Sequence, residues 1–437
     1  MTGKRLLGLG LATIAIAVSM SACGGGGTGG GGGGGNGGIG NGGGNGGGGN
    51  GGGGTSPTVA VAVQGAAWVA YQDGANGAWQ TLAPSGGFSG SVPSTAPDGR
   101  YTLAFVCPGQ KPTVHVVHAT RQELPSVNFT CGGATPATIT VEGSVAGLNG
   151  GNALVSIGEA TTTTSGAYTL QVAPGVYDVI AVRYTGSAPN RVWLQRNRSF
   201  SNNTTYPINF AQSDGTVVRV FDVESGALTV SGLDALANET ATVRVLLQSG
   251  NRSSVVGLGS ALNELTPTAY PRFPTGVLSA AEQFRVIVDT TEQRGVAQVT
   301  STLPSSLTLP PPYGNPTLSV NSTGAIQFTA QDFSYGESPA IGYQMSASAS
   351  SGARYEYFIT AGWLGNANAY TTPVLETLAG WNSAWNLQRG ESADVALRGD
   401  VSPSGATPQA VWSYLQGNPA PSGFILRYAT RRQTLTP

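Results

Sequence analysis

The sequence predicts an all-β protein built of tandem β-sandwich modules, which follow an export signal and a disordered glycine-rich tether. From Pro57 onward, short runs of β-branched and aromatic residues alternate with turn pairs such as Asp73-Gly74 and Asp98-Gly99. This alternation is typical of sandwiches and barrels. Helical periodicity over ten or more residues is hard to find, and 375–385 is the best candidate for a short helix or turn.

The N-terminus has the pattern of a secretory signal peptide. Lys4 and Arg5 precede an apolar run of 13 residues at 6–18, and Met20 and the small residues Ser21 and Ala22 follow before Cys23. The apolar run is shorter than the roughly 20 residues that a membrane-spanning helix needs. We therefore expect residues 1–22 to be removed on export.

The residues around the expected cleavage site resemble the lipobox of bacterial lipoproteins, since Ser21 and Ala22 stand directly before Cys23. The resemblance implies that Cys23 is acylated and becomes the mature N-terminus, so that the membrane is bound through this lipid. Gly24 stands where Asp would imply retention at an inner membrane. The expected location is therefore the cell envelope, at the outer membrane or cell surface.

The segment after Cys23 is a glycine tract. Glycine occupies 25 of the 31 positions in 24–54, which leaves almost no apolar side chain to offset the entropy lost on ordering. A flexible coil of this length spans about 30 Å on average. We interpret 23–56 as the lipidated cysteine and a disordered tether.

Charge and cysteine content limit the classes of partner. Charged residues make up 10% of the chain and the net charge is −1, so nothing predicts nucleic-acid binding. Cys107 and Cys131 are the two cysteines left after Cys23, and we expect them to form a disulfide in an oxidising compartment. We expect no cofactor.

An internal repeat organises the first half of the chain. Gly99-Arg100-Tyr101-Thr102-Leu103 recurs as Gly166-Ala167-Tyr168-Thr169-Leu170. The body then divides into module 1 (57–133), module 2 (134–212), module 3 (213–312) and an aromatic-rich module 4 (313–437). Short joints and the stiff run Pro310-Pro311-Pro312 predict that these modules form a semi-rigid rod.

Module 2 resembles the carboxypeptidase-regulatory-like, or transthyretin-like, family of Ig-like β-sandwich domains. The resemblance lies in 166–180, where a Gly-x-Tyr-x-Leu strand, a Pro174-Gly175 turn and a strand opening near Tyr177 follow one another. It implies a spacer or adhesive module and brings no catalytic residues. The residues agree independently, since Tyr168 and Leu170 share one strand face.

The sequence offers little support for catalysis. His115 and His118 are the only histidines, and on a strand they face opposite sides, so they cannot chelate one ion. We expect them on an edge or half-exposed strand. A Gly-x-Ser-x-Gly elbow is missing, and the 22 acidic residues are scattered singly. We therefore predict no catalytic, cofactor or metal residues, with a hydrolase built from carboxylates across strands as a remote alternative.

Two features remain as candidate interaction sites. Arg398-Gly399-Asp400 is an integrin-type tripeptide, and we expect it to form a hairpin turn before Val401. Module 4 also carries a candidate ligand platform for a glycan or protein, although burial in a sandwich core is the stronger interpretation of such aromatics. The platform residues are Trp363, Trp381, Trp385 and Trp412.

The function that follows is a non-catalytic, lipid-anchored envelope protein with a structural or binding role at the surface. The alternative is an accessory lipoprotein that binds carbohydrate or peptide through module 4.

Overall fold

The computed structural model describes residues 57–132, 137–213, 215, 217–234, 237–321, 326–332, 335, 337, 340–349 and 352–436. The expected signal peptide, Cys23 and the glycine tract lie outside these residues. The described residues form thirty strands, two short α-helices and one 3-10 turn. The expectation of an all-β chain of β-sandwich modules is confirmed.

Module 1 is a sandwich of three strands on four. One sheet has the order β4-β1-β7, with β7 parallel to β1, and the other contributes β3-β2-β5-β6. The strands are β1 (Thr58–Gln64), β2 (Trp68–Asp73), β3 (Trp79–Ala83), β4 (Phe88–Pro93), β5 (Arg100–Cys107), β6 (Thr113–Thr120) and β7 (Ser126–Thr130).

Module 2 repeats this arrangement. The short sheet has the order β11-β8-β14, with β15 also pairing β8, and the larger sheet contains β10-β9-β12-β13. The strands are β8 (Ile139–Ala146), β9 (Asn152–Ile157), β10 (Ala160–Thr164), β11 (Ala167–Val172), β12 (Gly175–Thr185), β13 (Ala188–Phe200), β14 (Thr204–Thr205) and β15 (Ile208–Asn209).

Module 3 has the same topology a third time, with β20-β17-β23 as the short sheet and β19-β18-β21-β22 as the larger one. The strands are β16 (Val218–Asp222), β17 (Glu224–Ser231), β18 (Ala241–Ser249), β19 (Arg252–Leu262), β20 (Thr268–Arg272), β21 (Glu282–Thr290), β22 (Arg294–Thr300) and β23 (Ser306–Thr308). The repeat therefore extends over three modules.

Module 4 differs from the other three. Its short sheet has the order β24-β25-β28, and its larger sheet has the order β30-β29-β26-β27. The elements are β24 (Thr317–Asn321), β25 (Gln327–Gln331), β26 (Ala340–Ala349), β27 (Arg354–Thr360), α1 (Ala361–Leu364), β28 (Ala369–Thr371), a 3-10 turn (Ser383–Trp385), β29 (Ala393–Val401), α2 (Pro408–Leu415) and β30 (Ile425–Leu435).

Module 4 joins modules 1 and 3 in one twelve-stranded sheet. Its strand β27 pairs in parallel with β6, and its strand β30 pairs antiparallel with β22. The spatial order is therefore module 3, module 4, module 1, so the expected rod in chain order is wrong. The physical reason is that the last module covers strand edges on both of the others.

Each repeated module exposes the same edge to a covering strand. Counted from the first strand of each repeat (β1, β8 and β17), the sixth strands are β6, β13 and β22, and their outer edges are paired by β27, β16 and β30 respectively. An uncovered edge presents a row of unpaired backbone groups and is prone to aggregation. The sixth strand of every repeat is therefore paired on its outer edge, although a different strand pairs with it in each module.

The burial of side chains in each strand depends on whether one or both faces of its sheet are covered. In β1 the side chains of Val59, Val61 and Val63 point inward and alternate with exposed neighbours, as expected for a sheet with one solvated face. In β5 every residue after Arg100 is buried, because both faces of that strand are covered. Module 4 packs on the outer face of the larger sheet of module 1, and module 3 packs on that of module 2.

The proline run between modules 3 and 4 is held by three side chains. Arg427 Nη2 donates to the Leu309 carbonyl at 2.9 Å, and Tyr335 Oη donates to the Pro311 carbonyl at 2.7 Å. Between them, Arg294 Nη1 donates to the Pro310 carbonyl. The connector is therefore fixed by hydrogen bonds as well as by proline stiffness.

Candidate functional site

The predicted disulfide is present. Cys107, at the end of β5, is bonded to Cys131, which follows β7. The bond links the two sheets of module 1, since β5 belongs to the larger sheet and β7 to the short one. This pairing confirms the expectation from the cysteine count.

Trp381 and Trp385 lie against module 1. The ring of Trp381 meets Trp68 of module 1 edge to face, with centroids 5.2 Å apart and planes at 87°. Trp385 meets Trp381 at 5.2 Å and 90°. Because these two rings are perpendicular, they do not form a coplanar surface. Trp68 Nε1 also donates to the Ala379 carbonyl at 3.0 Å.

Trp363 lies on a second contact with module 1. It belongs to the four-residue helix α1, and its ring centroid is 4.2 Å from that of His118. The start of α1 is held by Glu123 of module 1, whose carboxylate accepts from Thr360 Oγ1 and from the Gly362 N–H, each at 2.6 Å. Module 1 therefore orients the helix that carries Trp363.

Trp412 lies on the opposite face of the twelve-stranded sheet. It is buried on α2, and its ring is 6.1 Å from Phe129 of module 1 and 5.2 Å from Phe358 on β27. The structure thus brings Trp381 and Trp385 together and separates Trp412 from them. All four tryptophans lie at the seam between modules 1 and 4, which is the surface formed by β6, β27, α1, α2 and the residues packed on them.

The two histidines lie on opposite faces of β6, as predicted, but β6 is an interior strand. The expected edge position is wrong because β27 pairs with it. His118 is buried, and its two ring nitrogens share hydrogen bonds with Thr102 Oγ1 and Tyr370 Oη, each at 2.8 Å. Burial lowers the pKa of His118 from its ordinary value of 6.5 to about 3, so the ring is neutral at physiological pH.

His115 faces the other side of β6, between aromatic rings. Its centroid is 4.9 Å from Phe105 and 4.7 Å from Phe129, and Glu356 Oε2 lies 3.4 Å from its Nδ1. Burial lowers its pKa from 6.5 to about 4, although the Glu356 carboxylate opposes this change. His118 therefore packs directly against module 4, whereas His115 packs within module 1 and contacts module 4 through Glu356.

The Arg398-Gly399-Asp400 tripeptide lies inside β29, between β26 and β30. The expected hairpin turn is wrong. The glycine is required by packing on the opposite face, because a Cβ at Gly399 would approach Tyr335 Cβ to 2.8 Å. Long-range pairing on both sides, which short turn signals do not report, has placed this sequence in a central strand.

Ion pairs join modules 2 and 3. Arg196 Nε contacts Glu282 Oε1 at 2.6 Å, and Arg252 Nε contacts Asp178 Oδ1 at 3.0 Å. Burial alone would raise the pKa of Glu282, but hydrogen bonds from Arg196 outweigh it and hold that pKa below its ordinary range. These ion pairs lie beside an apolar cluster that modules 2 and 3 share.

A surface groove and the distribution of potential metal ligands bear on whether the protein could bind a small molecule or an ion. A groove of about 350 Å³ opens at the seam beside Lys111 and Arg354, where Lys111 Nζ donates to the Ala349 carbonyl at 3.2 Å. Across the described ranges, His, Cys, Asp and Glu form no group of three or more that could hold a metal ion. No helix in that part of the chain has the length and hydropathy to span a membrane.

Comparisons with known proteins give several structural likenesses, among them the following two. No family model matches the chain, and no curated protein sequence matches it. A Ca²⁺-stabilised adhesin of an ice-binding Antarctic bacterium is 13% identical, with 85% of this chain and 89% of that chain covered and a TM-score of 0.14. The FN1–FN3 domains of chicken CNTN1 are 7% identical, with 65% and 91% covered and a TM-score of 0.17. At these TM-scores neither likeness carries an argument about this chain.

Proposed function

We propose that this chain is a non-catalytic, lipid-anchored protein of the cell envelope with a structural role at the surface. The observation that carries the proposal is the twelve-stranded sheet, which runs without interruption through modules 3, 4 and 1. Backbone hydrogen bonds cross both module boundaries, so these modules resist separation at their joints. Such a body suits a structural role better than a chain of independently swinging binding modules.

The positions of the aromatic residues favour this role over an accessory that binds carbohydrate or peptide. A stacking platform needs rings that share one exposed plane. Trp381 is perpendicular to Trp385, and Trp412 is buried on the other face of the sheet. Each of the four tryptophans instead contacts an aromatic ring or a histidine of module 1.

The anchor in this proposal rests on the sequence. The basic start, the apolar run and the small residues before Cys23 support acylation at that cysteine. One acyl chain binds a membrane only marginally, whereas several give stable attachment. The glycine tract would then separate the β body from the membrane surface.

A Cys23→Ser substitution tests the anchor. We expect the variant to lose incorporation of labelled fatty acid and to leave the membrane fraction, whereas Thr28→Ser, a control within the glycine tract, should keep both properties. A Cys23→Ser protein that still incorporates the label and sediments with membranes would contradict the proposal.

The structural role is tested in cells that lack the chain. We expect them to become more sensitive to detergent, and we expect the full chain to restore resistance while the Cys23→Ser variant does not. Unchanged detergent sensitivity in the deletion strain would contradict a structural role in the envelope.

A further inference from the structure

Two strand edges, far apart in the chain, are covered by the same module. On module 1, residues Arg354–Ile359 of β27 pair with Thr113–His118 of β6. On module 3, residues Ile425–Ala429 of β30 pair with Arg294–Gln298 of β22. Module 4 therefore satisfies two edges that the repeated topology would otherwise leave open.

We propose that module 4 is a clasp: it holds modules 1 and 3 in one body by non-covalent contacts, and it stays docked when the covalent connection to module 3 is cut. This inference rests on the proposed structural function and deepens it, since it assigns the closure of the body to residues 313–437. The partner that module 4 fits is the sixth-strand edge of module 1 together with the outer face of its larger sheet.

The seam has the composition of a permanent interface. One hydrophobic cluster contains residues of both modules, with Trp68, Val106 and Val114 of module 1 beside Tyr357 and Tyr370 of module 4. Permanent interfaces resemble a domain core that has been cut in half. The edge-to-face contact of Trp68 with Trp381 lies in this cluster, and buried aromatic residues are the usual energetic centres of such surfaces.

Two polar groups of module 1 find hydrogen-bond partners in module 4. Glu123 of module 1 accepts hydrogen bonds from Thr360 and Gly362 of module 4, and buried His118 of module 1 bonds Tyr370 of module 4. If modules 1 and 4 separated, each of these groups would lose its hydrogen-bond partner and would have to bind water instead. The seam is therefore specific for module 4 in its present position.

The connector allows the covalent link to be removed without disturbing the seam. The carbonyls of Leu309 and Pro311 are bound by Arg427 and Tyr335, which both belong to module 4. Beyond this segment Gly314 and Asn315 are exposed, and a Cβ at Gly314 would meet nothing within 4 Å. A protease site inserted between Gly314 and Asn315 is accessible and lies outside the clamped carbonyls.

The clasp has a defined consequence when it opens. The outer edge of β6 then presents unpaired backbone N–H and C=O groups, and such an edge pairs with another chain. A second copy of this protein in the same open state presents strand edges that can pair with β6, and it is the expected partner. Opening should therefore produce self-association through module 1 rather than a stable open monomer.

The test uses the purified mature chain in detergent, with the protease site inserted and cut after folding. We expect the two fragments to elute together at the mass of the uncut chain on size exclusion. Trp68→Ala should raise the dissociation constant of the fragments by more than about tenfold and give higher oligomers. Trp193→Ala, which removes a buried tryptophan from module 2, should leave co-elution unchanged.

A milder pair of variants covers the case in which Trp68→Ala does not fold. Glu123→Gln removes the charge at the start of α1 and should raise fragment dissociation, whereas Glu142→Gln, on the exposed face of module 2, should not. Separation of the cut wild-type chain into two bodies at micromolar concentration would overturn the clasp. So would equal dissociation of the Glu123→Gln and Glu142→Gln proteins. Either result leaves the outcome of the Cys23 experiment untouched.

Discussion

Arg398 and Asp400 are bonded to each other within one strand, with Arg398 Nε donating to Asp400 Oδ1 at 2.7 Å. Asp400 is 1% exposed, and its second oxygen accepts from Gln344 Nε2 at 2.5 Å. Burial alone would lower the pKa of Arg398, but Asp400 outweighs it and the pKa rises. The guanidinium also lies 3.7 Å from the centre of the Tyr428 ring. The acidic member of this integrin-type tripeptide is thus enclosed by its own sheet.

Asp400→Asn should destabilise the protein by about 3 kcal/mol, because it leaves the mostly buried Arg398 cation without its carboxylate. Urea unfolding followed by tryptophan fluorescence measures this change. Asp394→Asn is the matched control on the same strand: its side chain is exposed and bonds Thr434, and its substitution should change stability by less than about 0.5 kcal/mol. Similar losses for the two variants would contradict the assignment of a buried ion pair.

Protonation of His118 should make stability depend on pH in a defined window. The folded pKa of about 3 lies below the unfolded value of 6.5, so between these values the unfolded chain binds a proton that the folded chain does not. The contribution of neutral His118 to the free energy of unfolding is therefore fully present above pH 6.5. It falls by about 1.4 kcal/mol per pH unit as the pH decreases toward 3. His115 adds a similar loss down to about pH 4.

His118→Gln removes this proton uptake. We expect the variant to be less stable than wild type at pH 7.5 but to lose less stability between pH 7.5 and pH 4.5. Urea midpoints at the two pH values measure the difference. Parallel losses in both proteins would show that the His118 ring is not held neutral by burial.

Removal of the disulfide should cost about 3 kcal/mol, since the cysteines are 24 residues apart and the bond restricts that loop in the unfolded chain. The Cys107→Ser, Cys131→Ser double variant should therefore have a lower urea midpoint than the oxidised wild type. A reducing agent should destabilise the wild type and leave the double variant unchanged. A reducing agent with no effect on the wild type would show that the bond does not form in the exported protein.

The length of the glycine tract, rather than its sequence, should set how far the body stands from the membrane. A Gly/Ser tract of equal length at 24–54 should preserve cleavage of the body by protease added to intact cells, and deletion of the tract should reduce it. Because module 4 contacts module 1, both should change together in this assay. Equal cleavage with and without the tract would leave its glycine richness without this explanation.

Local features of the fold could be predicted from the sequence, because they depend on neighbouring residues. The runs of β-branched and aromatic residues between turn pairs predicted strands, and the spacing of His115 and His118 predicted opposite strand faces. The start of α2 also has a local sequence signal, because Thr407 caps the helix and Pro408 follows at its first position.

The seam could not be predicted in the same way. Strands β6 and β27 are separated by more than 200 residues, and an edge strand has no local pattern that names its partner. Whether Trp381 is exposed depends on that pairing, because Trp68 reaches it only when module 4 docks. The same long-range pairing placed Arg398-Gly399-Asp400 in a central strand, where a turn was expected.

The recurring sixth-strand edge limits how this protein could change its number of repeats. A gene duplication that adds one more three-on-four module would add one more row of unpaired backbone groups, since β6, β13 and β22 are already covered by β27, β16 and β30. A covering strand would have to arise in the same event, or the longer chain would carry an aggregation-prone edge. Insertions and deletions of whole repeats should therefore be selected against unless they occur together with the strand that closes them.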